Sequence, residues 1–329
     1  MTAVAARPAP DGGHDRRPPA IFLMGPTAAG KTGLAMALAE RFPLGLVSAD
    51  SAQVYRRLDI GSAKPDAATL ARHPHALIDI REPHEPFSAG DFRDEALAAM
   101  ARIQAAGRIP LVVGGTGLYF RALERGMGNL PAANDDLRAE LQAQALAEGW
   151  PAMHARLAVV DPAAAARIRV GDRQRILRAL EVWHLTGRPI SELQHVGGDR
   201  RLPWRLLKLL LLPGNRAVLH ERIQTRFQMM LEAGFLDEVK QLRSDSRLRP
   251  DLPALRAVGY RQAWQFLDEG GDDLERLRQR AVAATRQLAK RQLTWLRGEH
   301  DAFSLDPLRS GLIDEAVARI AAFLGTQHR

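Results

Sequence analysis

The sequence predicts an α/β protein: a parallel sheet core flanked by helices and interrupted by an all-helical insertion. Three observations predict it. Short apolar runs alternate with helical stretches through the first third of the chain, which is the pattern of strands joined by crossover helices. Helical signals alone then occupy about 80 residues. Finally, a short apolar run at residues 206–212 reads as a strand that rejoins the sheet.

In chain order, apolar runs at 21–24, 44–48, 77–80 and 109–113 are the strands, with helices starting at Lys31 and covering 91–106. Between residues 123 and 200, Asp161-Pro162 puts a capping side chain before a Pro at the first helical position. Asp172 similarly opens a helix that Gly187 stops. After Pro213, Asn215 caps a helix whose Leu219, Ile223, Phe227 and Met230 follow helical spacing, a stripe expected in the core. A further long helix covers 274–297. The organisation is therefore a disordered tail at 1–19, a core at 20–122 and 201–329 with C-terminal helices, and a helical insertion domain at 123–200.

Composition limits the function classes. The 329 residues carry 46% hydrophobic and 26% charged side chains, enough apolar content for a sizeable core. A net charge of +8 favours a polyanionic partner. The absence of cysteine removes disulfides, thiolate nucleophiles and cysteine zinc sites. The run at 206–212 contains Lys208 and falls well short of the roughly 18 residues of a bilayer span, and the opening 20 residues lack the apolar stretch of a signal peptide. A cytoplasmic protein with no membrane partner is expected. The ten histidines form no H-x-x-x-H or H-E-x-x-H pair, so no zinc site is expected.

Gly25-Pro26-Thr27-Ala28-Ala29-Gly30-Lys31-Thr32 matches the phosphate-binding loop G-x-x-x-x-G-K-[ST] in full, between an apolar strand and a helix-forming stretch. The core is thus P-loop NTPase-like. Backbone amides at the helix N-terminus point at a diphosphate or nucleotide, Lys31 neutralises charge, and the Thr32 hydroxyl can ligate Mg2+. A kinase or hydrolase would add a metal-holding acid at the end of another strand, for which Asp79 is the one candidate. Asp50, in Ser48-Ala49-Asp50-Ser51-Ala52-Gln53, follows the second strand and should face the same crevice, where a general base would serve.

Together with the loop and Asp50-Ser51-Ala52-Gln53, the chain carries Asp59-Ile60-Gly61-Ser62-Ala63-Lys64-Pro65 and Gly114-Gly115-Thr116-Gly117-Leu118-Tyr119. It continues with Arg256-Ala257-Val258-Gly259-Tyr260-Arg261, and the run from Ala284 to Arg297 includes Lys290-Arg291-Gln292-Leu293-Thr294-Trp295-Leu296-Arg297. In this set and order it resembles the bacterial tRNA dimethylallyltransferases (the IPP transferase family) over residues 21–297. The resemblance implies Mg2+-assisted transfer of a dimethylallyl group from dimethylallyl diphosphate to N6 of adenosine 37, beside the anticodon, in tRNAs that read codons starting with U. Departures are small. Ala28-Ala29 stands where many relatives have Ala-Ser, which matters little when backbone amides bind the phosphate, and Ala52 stands where Met or another residue is usual.

On that resemblance Asp50 accepts the N6 proton, while Thr27 and Arg226 act on the diphosphate or reacting centre. Arg222, four residues earlier, shares the helical face of Arg226 or is simply solvated. Gln53 could pair with adenine through its amide. The expected tRNA-binding set is Asp50, Ser51, Ala52, Gln53, Thr116, Arg138, Arg256, Gly259, Tyr260, Arg261, Lys290, Arg291, Gln292, Trp295 and Arg297. Gln174, Arg175 and Arg178 of the insertion would approach the anticodon stem-loop from another side. From Arg276 to Gly298 seven Lys or Arg residues occur without an acid, a phosphate-facing surface. A monomer is expected. Rival readings are a kinase using ATP, an isoprenoid transferase acting on free adenine nucleotides, and a non-catalytic tRNA-binding protein.

Overall fold

A computed structural model describes residues 15–128, 130–195 and 202–325. The predicted tail lies mostly outside the described residues. The chain divides into two compact units, one holding residues up to Phe120 and from Pro203 onward, the other Arg121–Leu202.

The larger unit begins with β1 (Pro19–Met24), α1 (Lys31–Ala39), β2 (Leu44–Ala49), α2 (Ala67–Arg72), β3 (His75–Ala76), α3 (Ala89–Ala105), β4 (Ile109–Gly114) and α4 (Gly117–Arg125), whose last residues enter the smaller unit. The smaller unit holds α5 (Asp135–Glu148), α6 (Trp150–Val160), α7 (Pro162–Arg167), α8 (Arg173–Thr186) and α9 (Ile190–His195). The chain returns through β5 (Arg205–Leu211), α10 (Arg216–Glu232), α11 (Phe235–Arg243), α12 (Tyr260–Asp268), α13 (Leu274–Leu296), β6 (Phe303–Leu305) and α14 (Leu312–Leu324).

The sheet is wholly parallel, in the order β3-β2-β4-β1-β5-β6. Met24 is in register with Gly114 and with Leu210, and Gly114 with Ala49, so β1, β2, β4 and β5 end at one level. The loops after β1, β2 and β4 therefore open on a common edge, where parallel α/β sheets place their ligands. One sheet face packs Ile21, Leu23 and Leu209 against Leu34 and Leu38 of α1 and Ile320 of α14. On the other, Phe22 meets Phe120 edge-on at 5.2 Å and Phe92 stacks on Tyr119 at 4.1 Å. Burial of side chains of this size stabilises the fold by about 1.5–3 kcal/mol each.

The strand expected at 77–80 lies earlier and is shorter. Leu77 and Asp79 take φ of 67° and 56°, left-handed values that end an extended run, so only His75 and Ala76 pair with β2. Lys208 explains itself by its partners: its side chain is 3% exposed in β5, and Glu299 at 3.1 Å and Asp301 at 3.0 Å compensate the charge.

The smaller unit has its own core, with Leu141, Met153, Leu157, Ile176 and Leu180 buried together. The capping expectations hold in detail. Asp161 Oδ1 accepts from Ala164 N at 2.8 Å to open α7, while both carboxylate oxygens also take the Ser191 backbone and hydroxyl groups. Asp172 caps α8 and Gly187 ends it at φ 65°. Among the described residues no helix is long and apolar enough to cross a membrane.

Candidate functional site

The loop between β1 and α1 is shaped by its own backbone. Ala28 adopts φ 63°, the left-handed region, and Ala29 N donates to Pro26 O, so the chain curls before entering α1. The first amides of a helix have no intrahelical acceptor, and no side chain caps Gly30. That N-terminus is an open seat for an anion. Lys31 bends its ammonium over the loop and donates to Pro26 O at 2.8 Å.

Asp50 stands across the same pocket at the end of β2. Its Oδ1 accepts from Ala52 N at 2.8 Å and Gln53 N at 3.4 Å, which fixes the carboxylate, while Oδ2 has no protein partner among the described residues. The pocket, about 450 Å3, is lined by Thr27, Lys31, Asp50 and Arg226, with Ile223, Phe227, Met230 and Leu288 supplying an apolar wall. Burial drives the Lys31 pKa down to about 8; Asp50 opposes that fall and Arg226 adds to it. Burial likewise lowers Arg226, again against the pull of Asp50.

Glu238 of α11 was not foreseen. Its carboxylate accepts from the amides of Asp59 (3.0 Å), Ile60 (2.7 Å) and Gly61 (3.2 Å) and from the Tyr260 hydroxyl (2.6 Å). It thereby holds the segment that presents Gly61 and Ser62 to the pocket. An acid 177 to 179 residues from the amides it holds leaves no local signal. Glu238→Ala strands several donors at once and is expected to lower stability by about 2–3 kcal/mol in urea unfolding; a loss below about 0.5 kcal/mol would show that water replaces the carboxylate.

Several expected site residues meet here: Thr27, Lys31, Asp50, Ser51, Ala52, Thr116, Arg226, Arg256, Gly259, Arg291, Gln292 and Trp295 all line the pocket. Lys290, Arg297 and Arg261 are exposed outside it, as is Arg222. Other expectations are corrected. Gln53 offers no amide to a base, because Ser48 Oγ donates to its Oε1 and its Nε2 donates to Ser62 O and Ala63 O. Tyr260, expected in the tRNA-binding set, is fully buried with its hydroxyl on Glu238 and offers no surface to RNA. Arg138 and Arg178 both hold the buried carboxylate of Glu181, whereas Gln174 is exposed and Arg175, paired with Asp172, is largely exposed, so both stay open to an RNA contact. The acid-free run is partly neutralised by acids just outside it, since Glu275 pairs with Arg278 and Glu269 with Arg276 and Arg280. Among the described residues, Lys290, Arg291 and Arg297 keep no acid partner. Asp79 binds Lys64 at 2.5 Å and is absent from the pocket wall, so Asp79 is not placed to serve as the metal-holding acid of a kinase. The α10 stripe is core only in part: Ile223, Phe227 and Met230 also face the pocket.

A parallel sheet with a complete phosphate loop facing a positioned carboxylate defines a phosphate-loop protein equipped for group transfer from a diphosphate. The chain belongs to the IPP transferase family, whose model matches residues 53–299. It is 58% identical to a tRNA dimethylallyltransferase of Thiobacillus denitrificans over 94% of this chain and 98% of that one. A second relative of the same name, from Dechloromonas aromatica, is 55% identical over 94% and 99%. Among solved structures, the full-length tRNA isopentenylpyrophosphate transferase of Bacillus halodurans aligns with TM-score 0.65 and 36% identity, covering 94% of this chain and 96% of that one. A eukaryotic dimethylallyltransferase acting on tRNA aligns with TM-score 0.77 and 26% identity, covering 94% and 80%.

Proposed function

We propose that this protein transfers a dimethylallyl group from dimethylallyl diphosphate to N6 of adenosine 37 in tRNAs reading codons that start with U, acting as a cytoplasmic monomer on the anticodon stem-loop. The observation that carries the reading is the placement, in one pocket, of an open phosphate seat, an apolar wall and a carboxylate with one free oxygen. The relatives, named tRNA dimethylallyltransferases, support a dimethylallyl group as what is transferred and tRNA as what receives it.

In the reaction the allylic C–O bond breaks and the diphosphate leaves with the bonding pair, while carbon bonds to adenine N6 and Asp50 Oδ2 takes the N6 proton. The N6 lone pair is delocalised into the ring, so removing its proton as the bond forms favours the transition state. Charge grows on the diphosphate, where the α1 amides, Lys31 and Arg226 meet it. The residues fit Mg2+: the Thr32 hydroxyl has no protein partner among the described residues, and Mg2+ commonly takes few protein ligands plus phosphate and water oxygens. Held by Thr32 and the diphosphate, the ion would supply further neutralisation of the leaving group. An adenine stacked inside its loop cannot reach this pocket, so the base must be turned out. Exposed Lys290, Arg291 and Arg297 are suited to the RNA backbone.

The test is incubation with Mg2+, dimethylallyl diphosphate and unmodified tRNA, followed by mass spectrometry of the nucleosides. Prenylated adenosine is expected, and tRNA affinity should fall steeply with salt because cationic contacts release counterions. ATP turnover without prenylated adenosine would overturn the reading, and a flat salt profile would remove the basic surface from it.

A further inference from the structure

We propose that Gln292 is a positioning residue for the transfer, fixing the phosphate loop relative to the general base, and not an RNA contact; the inference rests on the function proposed above. Its amide bridges two segments far away in sequence. Oε1 accepts from Thr27 N at 2.8 Å, and Nε2 donates to Gly115 O at 3.0 Å. The segment it reaches is tied in turn to the base, since Thr116 Oγ1 accepts from Ser51 N at 3.3 Å and Thr116 N donates to Ala49 O at 3.4 Å. A short path of hydrogen bonds thus runs from the phosphate loop through Gln292 and the end of β4 to the residues on either side of Asp50.

The seat for this side chain is built into the backbone. A Cβ on Gly115 would stand 2.4 Å from Gln292 Nε2 and 3.0 Å from Gly25 O, and one on Gly117 would stand 2.5 Å from the Trp295 ring. Gln292 and Trp295 are three residues apart on α13, on one face of the helix. They enter two slots, two residues apart, that exist because side chains are missing there. Trp295 also lies over Phe120 at 6.2 Å. The helix that carries exposed Lys290 and Arg291 is therefore keyed directly into the loop that receives the diphosphate. Gln292 also occupies the Thr27 amide, leaving the α1 N-terminal amides as the anion seat. Thr27, held through its own backbone, lines the same pocket as Asp50.

Displacement of reacting groups by about 1 Å can cost on the order of 100-fold in rate, so loss of the bridge acts on the chemical step. Gln292→Met keeps the length of the side chain and removes the amide. At saturating tRNA and dimethylallyl diphosphate, the single-turnover rate should fall by about tenfold or more, with tRNA affinity changed less than about twofold. Gly115→Ala displaces the same amide from the opposite side and should reproduce the loss. The double variant should be no slower than the slower single one, since both break one bridge. Melting curves verify that each variant is folded, and Gly115→Ala carries the test if Gln292→Met is not. An unchanged rate with weaker tRNA binding would make Gln292 an RNA contact and overturn the proposal, as would multiplicative losses in the double variant. Failure of the unaltered protein to prenylate tRNA sinks the functional reading instead, which keeps the two outcomes apart.

Discussion

Asp50→Asn is expected to lower the single-turnover rate of prenyl transfer by about 100-fold or more while leaving tRNA binding nearly unchanged. The substitution is chosen because Asn retains an oxygen that can accept from Ala52 N and Gln53 N, the two contacts that orient the side chain. What it removes is the proton acceptor at the second oxygen, the one facing the pocket. Truncation to alanine would also loosen the turn after β2 and confuse the two effects. Rapid-quench measurements with enzyme in excess over tRNA read the chemical step directly. A rate within about threefold of the native value would show that solvent or the leaving diphosphate takes the proton, and Asp50 would then be a residue of the turn alone.

The phosphate loop and Asp50 were legible because each is a local pattern whose place follows from sheet topology. A strand, a glycine-bounded loop and a helix put Lys31 at a helix N-terminus whatever the rest of the chain does. Asp50 needed only the rule that loops after parallel strands share an edge, and the register of Ala49 with Gly114 and of Gly114 with Met24 satisfies it. What could not be read was how side chains choose among partners. Gln53 and Gln292 stand in the expected segments, yet both amides are taken by protein groups, Gln53 by the Ser48 hydroxyl and two carbonyls and Gln292 by backbone alone. Tyr260 shares a motif with exposed Arg261 but turns inward to Glu238. Arg138 and Arg178 look like free cations until Glu181, buried between them, is seen to need both. Glu238 lies 22 residues from Tyr260, Glu181 43 from Arg138 and Thr27 265 from Gln292, separations that no periodicity encodes. The same holds for α13, where the acid-free window begins one residue after Glu275 and within reach of Glu269.

Removing the Lys31 ammonium should act on activity and on stability in opposite directions. Lys31→Met deprives the departing diphosphate of a cation in a partly enclosed pocket, and kcat/KM for dimethylallyl diphosphate should fall by about 100-fold to 1000-fold, the scale on which single preorganised donors act. Stability follows the other sign. Burial lowers the Lys31 pKa from 10.5 to about 8, so between these values the unfolded chain binds more protons than the folded one, and stability contributed by this group rises with pH across that window. Below about pH 8 the folded protein carries the full burden of a buried charge. At pH 7 the methionine variant should therefore melt higher than the native protein and lose the rise between pH 8 and 10.5. The catalytic profile runs against it: kcat/KM of the native protein should decline above about pH 8 as Lys31 loses the proton that diphosphate binding requires, and the variant should lack that limb. A decline shared by both proteins would assign the titration to another group, and a lower melting temperature at pH 7 would show that Lys31 holds the loop through its bond to Pro26 O more than its charge strains it.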